Sequence, residues 1–201
     1  MSPLPAGMTQ HLRVNVGPSG LPLGIPLPGG NAVLCEPDTV VKYCGNMENE
    51  TLERLQHDDR FPKLKLCLNG YVHIKYIKGS ELRQVLDRAI ISRKLATMWI
   101  YQLYNMVSEM HLFSVAHMDI SQENIIVDSD NRLRLIDFTQ SIADPSTLFR
   151  CSTHDTVKMV TAYEIDYYAV FKVACAIHCR AVRVQIFKGE PSSDKCILEI
   201  Y

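Results

Sequence analysis

The run His117-Met118-Asp119-Ile120-Ser121-Gln122-Glu123-Asn124 is followed by Leu133-Arg134-Leu135-Ile136-Asp137-Phe138. A carboxylate, an amide a few positions later and a second carboxylate at the end of an apolar run form one chemical set. Phosphoryl transfer needs this grouping. One carboxylate accepts or orients the hydroxyl proton, and an amide with a second carboxylate holds magnesium against nucleotide phosphates. Asp119 is the candidate base, and Asn124 and Asp137 are the candidate magnesium ligands.

These side chains need elements to bring them together. Asn124–Val127 and Leu133–Ile136 are short apolar runs joined by Asp128-Ser129-Asp130-Asn131, which predicts a hairpin with Asn124 and Asp137 at its open end. A long helix over Ser92–Leu112, capped by Ser92, precedes it, with Leu95, Met98, Trp99, Leu103, Met106, Val107 and Met110 as its core stripe. Upstream, Asn31–Cys35 and Thr39–Tyr43 read as strands around a turn at 36–38. Leu64–Leu68 and Tyr71–Tyr76 read as a hairpin about Asn69-Gly70. A short helix is expected over Glu50–His57, capped by Asn46 or Asn49, and another over Ser80–Arg88. Residues 1–30 are a Pro/Gly-rich arm with one possible strand at His11–Val16. Residues 138–160 read as irregular, and Asp166–Cys179 as a buried helix, apolar nearly all round. The tail from Arg180 carries an alternation at Val182, Val184 and Ile186.

Taken together, the spacing of Asp119, Asn124 and Asp137, the hairpin and the long helix resemble the catalytic core of the eukaryotic protein-kinase superfamily. The resemblance implies an α+β, two-lobed fold: a small strand-rich N-lobe (residues 1–78) and a mainly helical, shortened C-lobe (79–201). It places Lys42, at the end of a Val-Val run, where the family pairs a lysine with the α- and β-phosphates. Glu48, Glu50 and Glu53 are the candidates for its ion-pair partner, with Glu50 the assignment preferred here. Residues 76–82 resemble the hinge between lobes. His117, Phe138 and Asp166 take structural roles, Asp166 by holding the backbone of the His117–Asp119 loop. Within the superfamily, Leu135-Ile136-Asp137-Phe138-Thr139-Gln140-Ser141-Ile142 and Ile165-Asp166-Tyr167-Tyr168-Ala169-Val170 are similar to the Bub kinases of the spindle checkpoint. Met118, between the His and Asp of the loop, and the lack of Ala-Pro-Glu fit the same subfamily. The kinetoplastid Bub-like pseudokinases are the nearest expectation.

Four departures bear on activity. Gly17-Pro18-Ser19-Gly20-Leu21-Pro22 stands where a glycine-rich loop should cradle phosphate, and its two prolines supply no N–H. Ser121 stands where Ser/Thr kinases carry lysine. Losing one preorganised charge stabiliser costs about 2.7–4 kcal/mol of barrier. Thr139 replaces the glycine after Asp137-Phe138, and the chain stops soon after the Asp166 helix. The resemblance therefore implies a catalytically inactive or very weak pseudokinase, a protein-interaction scaffold in the nucleus, at the kinetochore, whose partners are kinetochore proteins. No cofactor is expected on that reading. The rival is an ATP- and magnesium-dependent Ser/Thr kinase of the Bub type.

Composition is compatible with either. The chain has 201 residues, 47% hydrophobic and 21% charged, with net charge −1, which suits a folded domain and gives no basic excess for nucleic acid or a membrane surface. No apolar stretch is long enough to span a bilayer, and the first residues lack the pattern of a signal peptide. Seven irregularly spaced cysteines suggest reduced thiols. Cys175, His178 and Cys179 lie one helical turn apart, but no second ligand pair has matching spacing, so they are read as helix residues rather than a metal site.

Overall fold

Asn69 and Gly70 both take positive φ (53° and 78°), the geometry that a two-residue hairpin turn requires. They join β4 (Leu64–Leu68) to β5 (Tyr71–Lys75), as their sequence predicts. The computed structural model describes residues 25–26, 32–35, 38–43, 47–146, 148–153 and 156–187. The strand expected at His11–Val16 and the loop at 17–22 lie outside the described residues.

β5 is an inner strand of a five-stranded antiparallel sheet ordered β1-β2-β3-β5-β4, with β1 at Ile25–Pro26, β2 at Ala32–Cys35 and β3 at Thr39–Tyr43. Pro26 is tolerated because β1 is an edge strand. On β3, Val40 and Lys42 share one face, paired with Ile74 and Val72. A helix, α1 (Glu48–Arg54), packs beneath through Leu52 and the following Leu55.

α1 begins two residues earlier than its sequence suggests and ends at Arg54. Asn49 lies inside the helix and does not cap it: the capping position is Met47, with no side-chain bond, and Asn46 lies outside the described residues. The chain then reaches β6 (Ser80–Glu81), a two-residue strand paired with β7 (Ile125–Val127), before α2 (Leu82–Arg88) starts. The sequence suggests helix from Ser80. β6 instead fastens the connection to the hairpin below, and Gly79 permits it. A Cβ there would stand 2.3 Å from the Val127 carbonyl oxygen and 2.4 Å from Ile126 Cγ2.

α3 (Arg93–Leu112) starts with the Ser92 hydroxyl accepting from Leu95 N–H at 3.2 Å, as expected. Its buried face is Ala96, Trp99, Leu103, Met106, Val107 and Met110. Met98, placed in the stripe by its sequence, is instead 38% exposed. It is one residue, about 100° of helix, away from Trp99. β8 (Leu133–Leu135) pairs with β7 in the predicted hairpin, with Ile125 opposite Leu135 and Val127 opposite Leu133. The Trp99 indole N–H donates to Asn131 O at 2.8 Å, and Gln102 accepts from Leu133 N–H at 2.9 Å. The turn of the hairpin is thereby tied to α3.

Beyond a short 3-10 turn at Phe138–Gln140, residues expected to be irregular form a further hairpin. β9 (Leu148–Thr153) pairs with β10 (Thr156–Thr161) in unbroken antiparallel register. α4 (Ala162–Phe187) follows, longer at both ends than the expected Asp166–Cys179. Val182, Val184 and Ile186 lie in this helix, so their alternation does not mark a strand. α4 is also less buried than its composition suggests. Ala162, Asp166, Val170, Val173, Ala174 and Ile177 face inward, whereas Tyr168 is 64% exposed. Among the described residues, no helix is long and apolar enough to cross a membrane.

Candidate functional site

β3, α1 and the end of β8 converge on Lys42. Its ammonium lies 2.6 Å from Glu48 Oε1 and 2.6 Å from Asp137 Oδ1, and donates to Thr139 Oγ1 at 2.9 Å. Lys42 and Glu48 are buried, at 7% and 1% exposure. Glu50, the partner preferred from sequence, pairs instead with Arg54 across one turn of α1, on the exposed side. The correction follows from where the helix starts. With Glu48 in its first turn, that side chain faces the sheet, and Glu50, about 200° further round, faces water.

Asp137 sits just past β8 in the left-handed region (φ 64°, ψ 75°), which aspartate tolerates better than most residues. That backbone sends its side chain toward Lys42 and drives Phe138 into the core. Phe138 is fully buried, edge-on to His117 at 4.7 Å and to Phe61 at 5.9 Å. Burial pushes the Asp137 carboxyl upward, but the Lys42 charge and the hydrogen bonds from Lys42 and Thr139 to this carboxylate together outweigh it. They hold Asp137 below the usual aspartate range.

The Asp119 loop is held from beneath. Asp166 of α4, fully buried, accepts from His117 N–H (Oδ2, 2.8 Å) and Met118 N–H (Oδ1, 2.8 Å), and lies 3.0 Å from His111 Nε2. This agrees with the backbone-holding role that the resemblance implies. Met118 takes φ 67°, turning the chain so that Asp119 faces out. His117 is wholly buried. Asp119 N–H donates to its Nδ1 at 3.3 Å, so the ring proton resides on Nε2, which donates to Ile136 O at 2.9 Å. Burial lowers the pKa of this histidine and outweighs the carboxylates nearby, consistent with a neutral ring.

Asn124, immediately before β7, donates from Nδ2 to Asp119 O at 2.9 Å and Asp119 Oδ2 at 3.0 Å. Its backbone carbonyl accepts from Ile136 N–H at 2.9 Å, which sets Asn124 beside the residue preceding Asp137. With Nδ2 committed to Asp119, the amide oxygen is the group left to serve a cation. Asn124 and Asp137 thus offer an amide and a carboxylate oxygen, the hard donors magnesium prefers, with water and phosphate oxygens completing the shell. These residues fit magnesium and a nucleotide. Among the described residues, no cluster of three His, Cys, Asp or Glu side chains is arranged to hold a metal.

Two further polar contacts escaped the sequence. The buried Thr51 hydroxyl of α1 lies 2.8 Å from the Ser141 hydroxyl, which donates to Phe138 O at 2.6 Å. This clasp docks α1 onto the segment after Asp137. The Thr139 hydroxyl, at a position noted in the sequence only for the glycine it replaces, contacts both Lys42 and Asp137. Nothing in the local sequence marks Thr51 for the clasp, because its burial is set by tertiary packing. Nothing local announced the other.

Residues 46–160 match the protein kinase domain family. The chain belongs to that family. The fold described above is accordingly a kinase-like one, with a strand-rich N-lobe and a helical C-lobe. The Aurora kinase of Saccharomyces cerevisiae is 32% identical over 146 residues, 66% of this chain and 40% of that protein. The Aurora kinase of Schizosaccharomyces pombe is 36% identical over 77 residues, 38% of this chain and 22% of that protein. The CBL-interacting serine/threonine-protein kinase 2 of Arabidopsis thaliana is 34% identical over 68 residues, 34% of this chain and 15% of that protein. The chain therefore spans well under half the length of these relatives. The solved Rad53 kinase domain, in complex with AMPPNP, has a TM-score of 0.46 at 19% identity, covering 52% of this chain and 42% of that one. Its likeness adds nothing to the family match.

Proposed function

We propose that this kinase-type domain is a Bub-like protein-interaction module of the nuclear kinetochore, with phosphoryl transfer absent or very slow. In this reading the lobes divide at residues 78–79, Asp119 is a vestigial base, and Lys42, Asn124 and Asp137 are the remains of a nucleotide and magnesium site. Its partners are kinetochore proteins, reached without nucleic acid or membrane. The kinetochore placement is supported by the Bub-like runs at 135–142 and 165–170.

The observation that carries the loss of activity is Ser121. Its hydroxyl accepts from Asn124 N–H at 3.3 Å and also bonds the Glu123 carboxylate. It is turned onto its own loop, and a hydroxyl, not a cationic side chain, occupies position 121, where charge developing on a transferred phosphoryl group would be met.

A second reading, an active Ser/Thr kinase, is favoured by the formed Lys42–Glu48 pair and the Asp119–Asn124 hydrogen bond. One experiment separates them: incubate the full chain with Mg-ATP labelled at the γ-phosphate and peptide substrates, alongside Asp119→Asn. The module reading expects no transfer above the variant. Transfer that Asp119→Asn abolishes would replace it with the kinase reading. Thermal unfolding with Mg-ATP adds the binding term. Ligand at 100 times its Kd contributes about 2.7 kcal/mol, which raises the midpoint by about 5–10 °C for a domain of this size. The module reading expects less.

A further inference from the structure

Lys42 has three N–H donors, and three acceptors surround it: Glu48 Oε1, Asp137 Oδ1 and Thr139 Oγ1. The third contact exists because residue 139 is not glycine. The same hydroxyl donates to Asp137 Oδ1 at 2.6 Å, and the Thr139 backbone N–H also points at that oxygen, at 3.4 Å. One side chain therefore takes the last donor of the phosphate-pairing lysine and crowds an oxygen of the metal-binding carboxylate. Both demands on a hydroxyl, one donated and one accepted bond, are met within the chain.

We propose that Thr139 is a positioning residue that acts as a built-in competitor for metal and phosphate. It closes a Lys42–Asp137–Thr139 triangle that a divalent cation must open before it can use Asp137. The inference rests on reading this cleft as the nucleotide and magnesium site. Removing the hydroxyl frees one Lys42 donor and removes one bond from Asp137 Oδ1, so the cation meets a less committed carboxylate. The threonine is exposed, so the gain falls at the low end for a hydrogen bond to a charged group, about tenfold in cation affinity.

The test uses the full, isotope-labelled chain and Mn²⁺ as the probe. Mn²⁺ is titrated while the amide signals of Asn124 and Asp137 are followed for paramagnetic broadening. Thr139→Val keeps the branched shape without the hydroxyl, and Thr139→Ala removes it with less bulk, so either folded variant suffices. Both are expected to show half-broadening at about tenfold lower Mn²⁺ than the parent. Thr139→Ser, which keeps the hydroxyl, should stay near the parent. A parent-to-Val or parent-to-Ala ratio under about threefold, no broadening in any of the proteins, or a serine variant that follows valine would each overturn the proposal. Phosphoryl transfer by the parent would remove the inactive reading and leave this comparison standing. Equal Mn²⁺ affinities would remove the role of Thr139 and leave the inactive reading standing.

Discussion

Asp166 is where α4 grips the Asp119 loop, and its substitution has a size that can be worked out. The carboxylate is fully buried and accepts the backbone N–H groups of His117 and Met118, one on each oxygen. His111 Nε2 adds a third contact, on the oxygen that serves His117. In Asp166→Ala the two backbone donors, one buried and one part-buried, lose their acceptor. A buried donor left unsatisfied costs about 1–3 kcal/mol, so the pair costs about 4 kcal/mol. In Asp166→Asn the amide oxygen can still serve His117 and His111, but the amide nitrogen then faces Met118 N–H, donor against donor. One lost acceptor leaves about 2 kcal/mol. For a domain of this length each kcal/mol shifts the thermal midpoint by about 2–4 °C. The alanine variant should melt about 8–16 °C lower and the asparagine variant about 4–8 °C lower. Circular dichroism melts of the three proteins at neutral pH check this. An alanine variant within 2 °C of the parent, or asparagine as damaging as alanine, would refute the claim that these two backbone donors depend on this side chain.

Three other substitutions probe separate parts of the structure. Glu48→Ala leaves the buried Lys42 with Asp137 and Thr139 only and should cost about 3 kcal/mol in urea unfolding. Glu50→Ala removes an exposed pair one turn apart and should cost under about 0.5 kcal/mol, so equal effects would overturn the assignment of Glu48. Gly79→Ala forces a methyl against Val127 O and Ile126 Cγ2 and should cost about 3 kcal/mol, the upper end for overpacking; denaturant midpoints measure it. Asp128 is pushed up by burial, but hydrogen bonds from Arg132 N–H, Arg134 and Asp130 N–H outweigh this and hold its pKa below the usual value. A depressed carboxylate contributes stability that is full above the ordinary aspartate range and lost as the pH falls below that range, through the lowered folded-state value. The stability gap between the parent and Asp128→Asn should therefore be full at pH 7 and shrink steadily in acid. A gap constant down to pH 2–3 would contradict the assignment.

The parts of this fold legible in sequence are those written locally. Asn69-Gly70 dictates its turn, Ser92 its cap and the Asp128–Asn131 turn its hairpin, and these place Asn124 and Asp137 side by side. Asp166 was legible only through family resemblance, since nothing nearby tells a buried aspartate from a solvated one. The errors share a cause. β9 and β10 are rich in Thr and Ser and lack an apolar alternation strong enough to stand out. Their pairing is the neighbouring strand's contribution. Val182, Val184 and Ile186 suggest a strand in isolation, but they continue a helix already nucleated at Ala162, and extending a formed helix costs less than starting a new element. The sequence favours Glu50 over Glu48 because a shift of two residues at a helix start is below what capping signals define. That same shift turns a side chain about 200° around the axis.

The two departures nearest the reacting centre act in the same sense. Ser121 stands in place of a cation, and Thr139 in place of a residue with no side chain. In each case a hydroxyl is present whose hydrogen-bonding capacity is used inside the chain, on Asn124 N–H and Glu123 at one position, on Lys42 and Asp137 at the other. Bonds of this kind belong to the resting fold. They do not strengthen as charge develops on a transferred group, and only interactions that do so accelerate the chemical step. Substitutions that satisfy the resting structure can therefore leave Lys42–Glu48, the Thr51–Ser141 clasp and the Asp166 grip intact while catalysis falls. On the proposed reading, a cleft that looks assembled and a cleft that is idle are one and the same: stability of the fold and stabilisation of a transition state draw on different atoms here.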